Sequence, residues 1–220
     1  QWMIEHFEKS DGIGAIFPPI INSIIALRCL GYDNDHSSTA SQIRELEKLE
    51  IEEGETLKIA PCFSPVWDTA LAINALSESG LPADHPSLLK AASWLLEKEV
   101  KSPGDWKVKN PEGLPGGWYF EYANELYPDV DDTFQVLTAL SKVRFPDSQL
   151  QSRKLEAMDR GLRWVLSMQN RDGGWASFDK DCDEQFLTQI PFADHNAMID
   201  PSTSDITGRG VEPLARLGFS

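Results

Sequence analysis

Apolar residues recur along this chain at helical spacing, without strand-like alternation, and that periodicity restricts the fold more than any other feature. Val66, Ala70, Ile73 and Leu76 step by 4, 3 and 3 positions; Val136, Leu140 and Val143 by 4 and 3; Leu155, Met158, Leu162 and Val165 by 3, 4 and 3. An α-helix turns once every 3.6 residues, so each set lies along one face and marks a stripe to be buried. Pro- and Gly-rich turns separate the stripes: Ser102-Pro103-Gly104-Asp105, Leu114-Pro115-Gly116-Gly117 and Arg171-Asp172-Gly173-Gly174. The pattern predicts helices over 17–30, 40–50, 65–79, 85–99, 130–143, 153–169 and 203–217, and hence an all-α fold. Asp132 or Thr133 is placed to cap the 130–143 helix, and Asp68 and Asp205 sit similarly near the starts of theirs.

Seven tryptophans in 220 residues call for burial, either around an aromatic cavity or as repeated packing devices. A weak repeat favours the second use for four of them. Gly161-Leu162-Arg163-Trp164-Val165, Gln169 and Gly173-Gly174-Trp175 form one copy; Ser93-Trp94-Leu95, Glu99 and Gly104-Asp105-Trp106 form an imperfect second. A third, Gln1-Trp2 through Asp11-Gly12-Ile13-Gly14, lacks the final Trp. A Gln at a helix end can bond the backbone of the next turn while the Trp lies on a neighbouring helix, so the repeat reads as a fastener. Helix pairs joined this way close into toroids.

The charge balance, 20 basic against 35 acidic residues, gives −15 and argues against nucleic acid as a partner, since phosphates would be repelled. Cys29, Cys62 and Cys182 show no metal-ligand spacing and read as small buried residues in a reducing, cytoplasmic setting. His6, His36, His85 and His195 are scattered, with only Asp194-His195 next to Phe192 of interest. The apolar stretch Ile13 to Leu30 is broken by Gly14, Pro18, Pro19, Asn22, Ser23 and Arg28, so it makes a poor membrane span. No basic n-region opens the chain, which starts without Met and in helical character, and a piece of something longer is expected.

Tyr127-Pro128-Asp129-Val130-Asp131-Asp132-Thr133 places three carboxylates within four residues where a loop meets a helix. Crowded carboxylates in a low-dielectric site cannot all ionise, which is one way to store a general acid. Acid clusters are also common in so acidic a chain, and Asp179-Lys180-Asp181-Cys182-Asp183-Glu184 is comparable. Context favours chemistry: Gly116-Gly117-Trp118-Tyr119-Phe120-Glu121-Tyr122 brings four aromatic rings close by.

Taken together, Leu114-Pro115-Gly116-Gly117-Trp118-Tyr119-Phe120, the Asp-x-Asp-Asp-Thr segment, Ser64-Pro65-Val66-Trp67-Asp68-Thr69 and Gln169 to Trp175 resemble squalene–hopene cyclases, bacterial class II triterpene cyclases. The resemblance continues through Ile190-Pro191-Phe192-Ala193-Asp194-His195 and Asp200-Pro201 to Asp205-Ile206-Thr207-Gly208-Arg209, and marks the chain as a middle portion of such an enzyme. It implies an α/α toroid, part of an (α/α)6 barrel with QW-type repeat turns. Residues 1–55 would end the first helical lobe and 56–220 begin the catalytic one.

For the site, the resemblance implies that Asp131 protonates the terminal alkene of squalene, with Asp129 and Asp132 as supporting carboxylates. Asp205 matches a further aspartate near the acid. Arg209 stands where some members carry an assisting histidine. Arginine, with a pKa above about 12, cannot shuttle a proton but can hold positive charge beside the anion left after transfer. Trp67, Trp118, Phe120, Phe178 and Phe192 match cavity-lining aromatics and Ile16 a lining aliphatic. Gln189 and Ala193 replace residues found in some relatives and carry no role over. Two uses stay open for Asp132, acid network or helix cap, and for Phe178 and Phe192, cavity wall or plain core. No metal or other cofactor is implied. A water-insoluble polyene substrate and peripheral attachment to the cytoplasmic side of the membrane are.

The residues leave other functions to weigh. A two-carboxylate glycosidase on a helical toroid needs many hydrogen-bond donors in its cleft, whereas 63–76 and 114–137 are rich in apolar and aromatic residues. Metal-bound diphosphate chemistry needs basic residues near the acids, and no Lys or Arg lies between Asn110 and Thr138. A non-catalytic helical fragment is the third: half a toroid exposes apolar surface and is expected to pair with a second copy or with other segments, and to make little product alone.

Overall fold

The computed structural model describes residues 1–7, 10–191 and 198–219 and is mostly helical. Its helices, among the described residues, are α1 (Trp2–Phe7), α2 (Phe17–Cys29), α3 (Ser37–Glu47), α4 (Pro65–Glu78), α5 (Pro86–Glu97), α6 (Val130–Lys142), α7 (Ser148–Ser167) and α8 (Ser204–Arg216). All seven helices expected from periodicity are present, though α7 begins at Ser148 rather than 153 because Asp147 caps it, accepting the Leu150 N–H at 2.7 Å.

One stretch departs from the expectation. Helix α3 stops at Glu47, and an antiparallel hairpin follows, β1 (Glu50–Glu53) with β2 (Thr56–Ile59), paired Glu53 to Thr56 and Ile51 to Lys58. Gly54, with φ at 63°, makes the left-handed turn that lets a Gly-Glu pair reverse the chain. The hairpin is exposed along its length, so no apolar stripe announces it.

Helix α6 is buried nearly all round, with Val130, Phe134, Val136, Leu137 and Leu140 each at most 1% exposed. A helix enclosed on nearly every side belongs in a core, and α6 carries its acidic first turn into it. Helices α4 and α8 pack along it, with α7 and α5 completing the enclosure. Close approach requires glycine at Gly161 of α7, where an added Cβ would stand 2.6 Å from the Trp118 ring. The helix end at 169–175 is tied as follows: the Gln169 amide donates to the Gly173 carbonyl at 2.8 Å, the Trp175 indole N–H to Val165 O at 2.6 Å, and the Trp175 ring meets Phe134 edge-on at 5.5 Å. Trp106 likewise meets Trp164 edge-on at 6.0 Å, while Glu99 turns away to a two-point pair with Arg160 at 2.6 and 3.0 Å.

The N-terminal helices α2 and α3 pack on each other and are joined to the rest through polar contacts. Asp11 N–H donates to Ala123 O and Ala123 N–H returns to the Asp11 carboxylate, at 2.9 and 2.8 Å. His6 Nε2 lies 3.1 Å from Asp105 Oδ1. The cysteines are not buried as expected: Cys29, the last residue of α2, is exposed and Cys62 and Cys182 are partly so, because all three fall at element ends or in loops. No described helix is long and apolar enough to cross a membrane.

Candidate active site

The three carboxylates of the acid segment stand at the start of α6, fixed there by the strand-like passage before it. Trp118 and Asp129 form an isolated antiparallel bridge, with Asp129 N–H donating to Trp118 O at 2.7 Å. The Trp118 N–H donates to Thr133 Oγ1 at 2.9 Å, and that hydroxyl donates to Asp129 O at 2.7 Å. The turn into this bridge needs Gly117, whose φ is 88° and whose Cβ, if present, would lie 2.7 Å from the Trp164 ring.

Neither Asp132 nor Thr133 caps α6 as expected. The cap is Asp129, in extended conformation, whose Oδ1 accepts the N–H groups of Asp131 at 2.7 Å and Asp132 at 3.2 Å. An N-cap must precede the first helical residue, and the helix begins at Val130.

The three carboxyls then differ in environment. Burial pushes all three above the ordinary carboxylate value. For Asp129 the two donated N–H groups oppose it, and they and the helix dipole favour its charged form. Asp132, 1% exposed, receives no such donor, and repulsion from Asp129 adds to its burial, so it is the carboxyl that keeps a proton. Asp131 is half-buried, and Arg209 opposes its desolvation: the guanidinium Nη1 is 2.5 Å from Asp131 Oδ2. Asp131 Oδ1 is buried and takes no hydrogen bond among the described residues.

Arg209 also reaches Asp205 at 3.2 Å, four residues back on α8, and its guanidinium carbon stands 5.5 Å from the Trp67 ring centroid. Trp67 in turn tilts against Phe120 at 6.2 Å. The Thr203 hydroxyl, with further backbone donors, holds Asp205 below its ordinary value. Asp131, Asp205, Arg209, Trp67 and Phe120 thus form one connected group across α4, α6 and α8.

Beside it lies a cavity of about 520 Å³. Ile16, Phe120 and Phe178 line it, and of the three carboxyls Asp129 reaches its wall. Trp118 does not: it is fully buried, its indole N–H donates to Leu95 O at 2.7 Å, and its ring is seated on Gly161, which corrects its expected lining role. Residues two apart share a face in a regular strand, but here only Trp118 is bridged, to Asp129, and the chain bends from Phe120 onward, so the two rings part and the Trp118 indole is held inward by the Leu95 carbonyl. Phe192 lies outside the described residues.

Two wall residues escaped the sequence reading. Glu121 is buried, accepts from the Asn124 amide at 3.2 Å, and is pushed up to about 7 by burial. A single carboxylate within an aromatic run was the available signal. Tyr127 shows its ring to the cavity while its hydroxyl donates to Asp105 Oδ2 at 2.8 Å; burial raises its pKa. Among the described residues no group of three or more His, Cys, Asp or Glu side chains is arranged for a metal ion.

Comparison with known proteins gives a family. Residues 63–220 match the family model described as squalene-hopene cyclase C-terminal domain, and residues 1–55 the one described as its N-terminal domain. The chain is 41% identical over 97% of its length to a squalene–hopene cyclase of Bradyrhizobium diazoefficiens and 39% identical over its whole length to that of Alicyclobacillus acidocaldarius. A dammaradiene synthase of Dryopteris crassirhizoma is 39% identical over 99% of the chain, so the relatives are not confined to bacteria. The chain covers 32%, 34% and 31% of these three proteins, about a third of each.

Proposed function

The chain belongs to the squalene–hopene cyclase family, and from that premise we propose that it carries the acid-bearing segment of a triterpene cyclase that closes a linear polyene such as squalene into a hopanoid skeleton. The supporting observation is the pairing of Asp131, alone among the three motif carboxyls so far as the described residues go, with a cation, Arg209.

In this reading Asp131 gives its proton to the terminal alkene. The proton adds to one alkene carbon, a cation forms on the other, successive double bonds attack it, and the last cation loses a proton, so the net change is an isomerisation. The anion left on Asp131 is stabilised where it forms by the Arg209 guanidinium. Asp132, kept neutral, is the carboxyl beside Asp131 that retains a proton, while Asp129, whose charged form is favoured by the two backbone N–H groups it accepts, caps the helix. Asp205 orients Arg209.

A carbocation needs stabilisation without a base to quench it. The faces of Trp67, Phe120 and Phe178 supply negative quadrupole potential worth roughly 0.5–2 kcal/mol per ring for a desolvated cation. Ile16 and, from the resemblance, Phe192 extend the apolar wall. No cofactor enters this scheme.

The same reading makes residues 1–55 the end of one helical lobe and 56–220 the start of the catalytic lobe in an α/α toroid fastened by QW-type turns. The full-length protein would sit peripherally on the cytoplasmic side of the membrane that supplies its substrate, and the isolated chain, with part of the wall missing, would pair with itself and turn over little. The test is hydrocarbon product from the full-length protein and its Asp131→Asn variant given squalene: product that vanishes in the variant is expected, and undiminished turnover would overturn the mechanism.

A further inference from the structure

Phe178 is 43% exposed at the cavity lip, so packing does little to aim its ring and its backbone must do so instead. That backbone is gripped from one side. Three consecutive N–H groups converge on a single carboxylate: Asp200 Oδ1 accepts from Ser177 at 3.2 Å, and Oδ2 from Phe178 at 2.6 Å and Asp179 at 2.8 Å. Successive N–H groups curled in this way form a concave anion seat, filled here by a side chain of the same protein.

Asp200 is itself anchored. Its N–H donates to Cys182 O at 2.7 Å, and the bridges Trp175 to Thr203 and Cys182 to Asp200 close the intervening loop at both ends around its carboxylate. The loop then reaches the acid helix: Ser177 O accepts the Val130 N–H at 2.9 Å. Val130 is the first residue of α6, and its N–H is one that the Asp129 cap leaves unserved, since Asp129 takes those of Asp131 and Asp132.

We propose that Asp200 is a positioning residue that sets the Phe178 wall of the cavity and, through Ser177, the start of the acid-bearing helix in one fixed relation. Its carboxylate lies at the cavity wall with both oxygens engaged by backbone N–H groups, so its part is to hold the wall. Where the reaction is the polyene cyclisation proposed above, on which this role rests, its effect is on where a cation is held as rings close, and so on which products form.

The test uses the full-length enzyme with Asp200→Asn, which keeps one acceptor oxygen and volume but sets an amide N–H₂ against the backbone donors, and with Phe178→Leu. Asp200→Asn is expected to raise the proportion of incompletely cyclised hydrocarbons about fivefold or more, in the same direction as Phe178→Leu, with kcat reduced more than KM. A merely destabilised enzyme makes less of an unchanged mixture, and that outcome overturns the proposal. Hydrogen exchange reads the geometry without turnover: the amides of Ser177, Phe178, Asp179 and Val130 are expected to exchange about tenfold faster in Asp200→Asn, with Leu95 in α5 unchanged. Faster exchange at 177–179 with Val130 unaltered also overturns it. If the unaltered enzyme makes no cyclised product, the cyclase reading fails, and the exchange data still decide whether Asp200 holds the loop to the helix.

Discussion

Arg209 holds Asp131 through a single guanidinium nitrogen, 2.5 Å from Oδ2, and among the described residues Oδ1 has no partner. A cation so placed stabilises the carboxylate, while burial, the larger influence, favours the acid form. A catalytic acid works protonated, so the rate falls as pH rises through its pKa. Arg209→Gln removes the influence that lowers that pKa, and the falling limb of the rate profile in the full-length enzyme is expected to move to higher pH. The plateau should drop by about 10²–10³, the usual cost of losing one charge-stabilising donor. A limb that stays in place, or moves to lower pH, would show that Asp131 does not feel Arg209 during turnover.

Glu121 gives a pH dependence of stability instead. Burial moves it from an ordinary 4.5 to about 7, so the folded chain binds a proton that the unfolded chain has already released between those values. Stability from this group is full below about 4.5 and is lost as pH climbs to about 7, roughly 3 kcal/mol at most. Glu121→Gln keeps the acceptor for Asn124 and cannot ionise. It is expected to be more stable than the parent at pH 8 and close to it at pH 4.5, which urea unfolding at the two pH values checks.

Trp67 and Trp118 stand in different settings: Trp67 faces Arg209 and Phe120 and, contrary to its expected lining role, is not among the residues lining the cavity, while Trp118 is core. Trp118→Phe strands the buried Leu95 carbonyl and leaves a void beside Gly161, so about 1–3 kcal/mol of stability should go, with product composition unchanged in the full-length enzyme. Trp67→Leu, at a partly exposed ring beneath Arg209, should cost less stability and more turnover. Melting curves and product analysis on both variants make the comparison.

Helix positions were legible because each carries an apolar stripe that must be buried, and α6 and α7 show it plainly. The hairpin at 50–59 was not, since it is exposed on both faces and rests on backbone pairing and one left-handed glycine. At the site, local spacing placed the three carboxylates together but could not tell which one caps the helix, a matter of where the helix begins. Asp131 meeting Arg209 across 78 positions came from resemblance, and its geometry only from the fold. Trp118 and Phe120 are alike in sequence; a single carbonyl on α5 sends one of them inward. The grip of Asp200 on three amides depends on a loop closed by residues far ahead of it, which no local pattern records.

Helix α6 is held at its far end too, by an unusual group. Lys154 of α7 is 4% exposed, and its ammonium donates to the carbonyls of Leu140 at 3.2 Å, which also accepts the Val143 N–H at 3.3 Å, and of Val143 at 2.5 Å, just past the helix end. Burial lowers its pKa, yet a cation at a helix C-terminus is favoured by the dipole, and the two carbonyls repay part of its desolvation. Lys154→Met keeps the stem and removes the charge, leaving the Val143 carbonyl unserved and that of Leu140 with only the Val143 N–H, so a loss of about 1.5–3 kcal/mol is expected, the range for hydrogen bonds to a charged group. Because the opposite end of the helix carries Asp129, Asp131 and Asp132, the variant also tests whether α6 behaves as one rigid unit. Hydrogen exchange at Val136 and Leu137 should quicken in step with the lost global stability. If only residues 140–143 loosen, the C-terminal clasp is local and the acid-bearing end stands on its own cap.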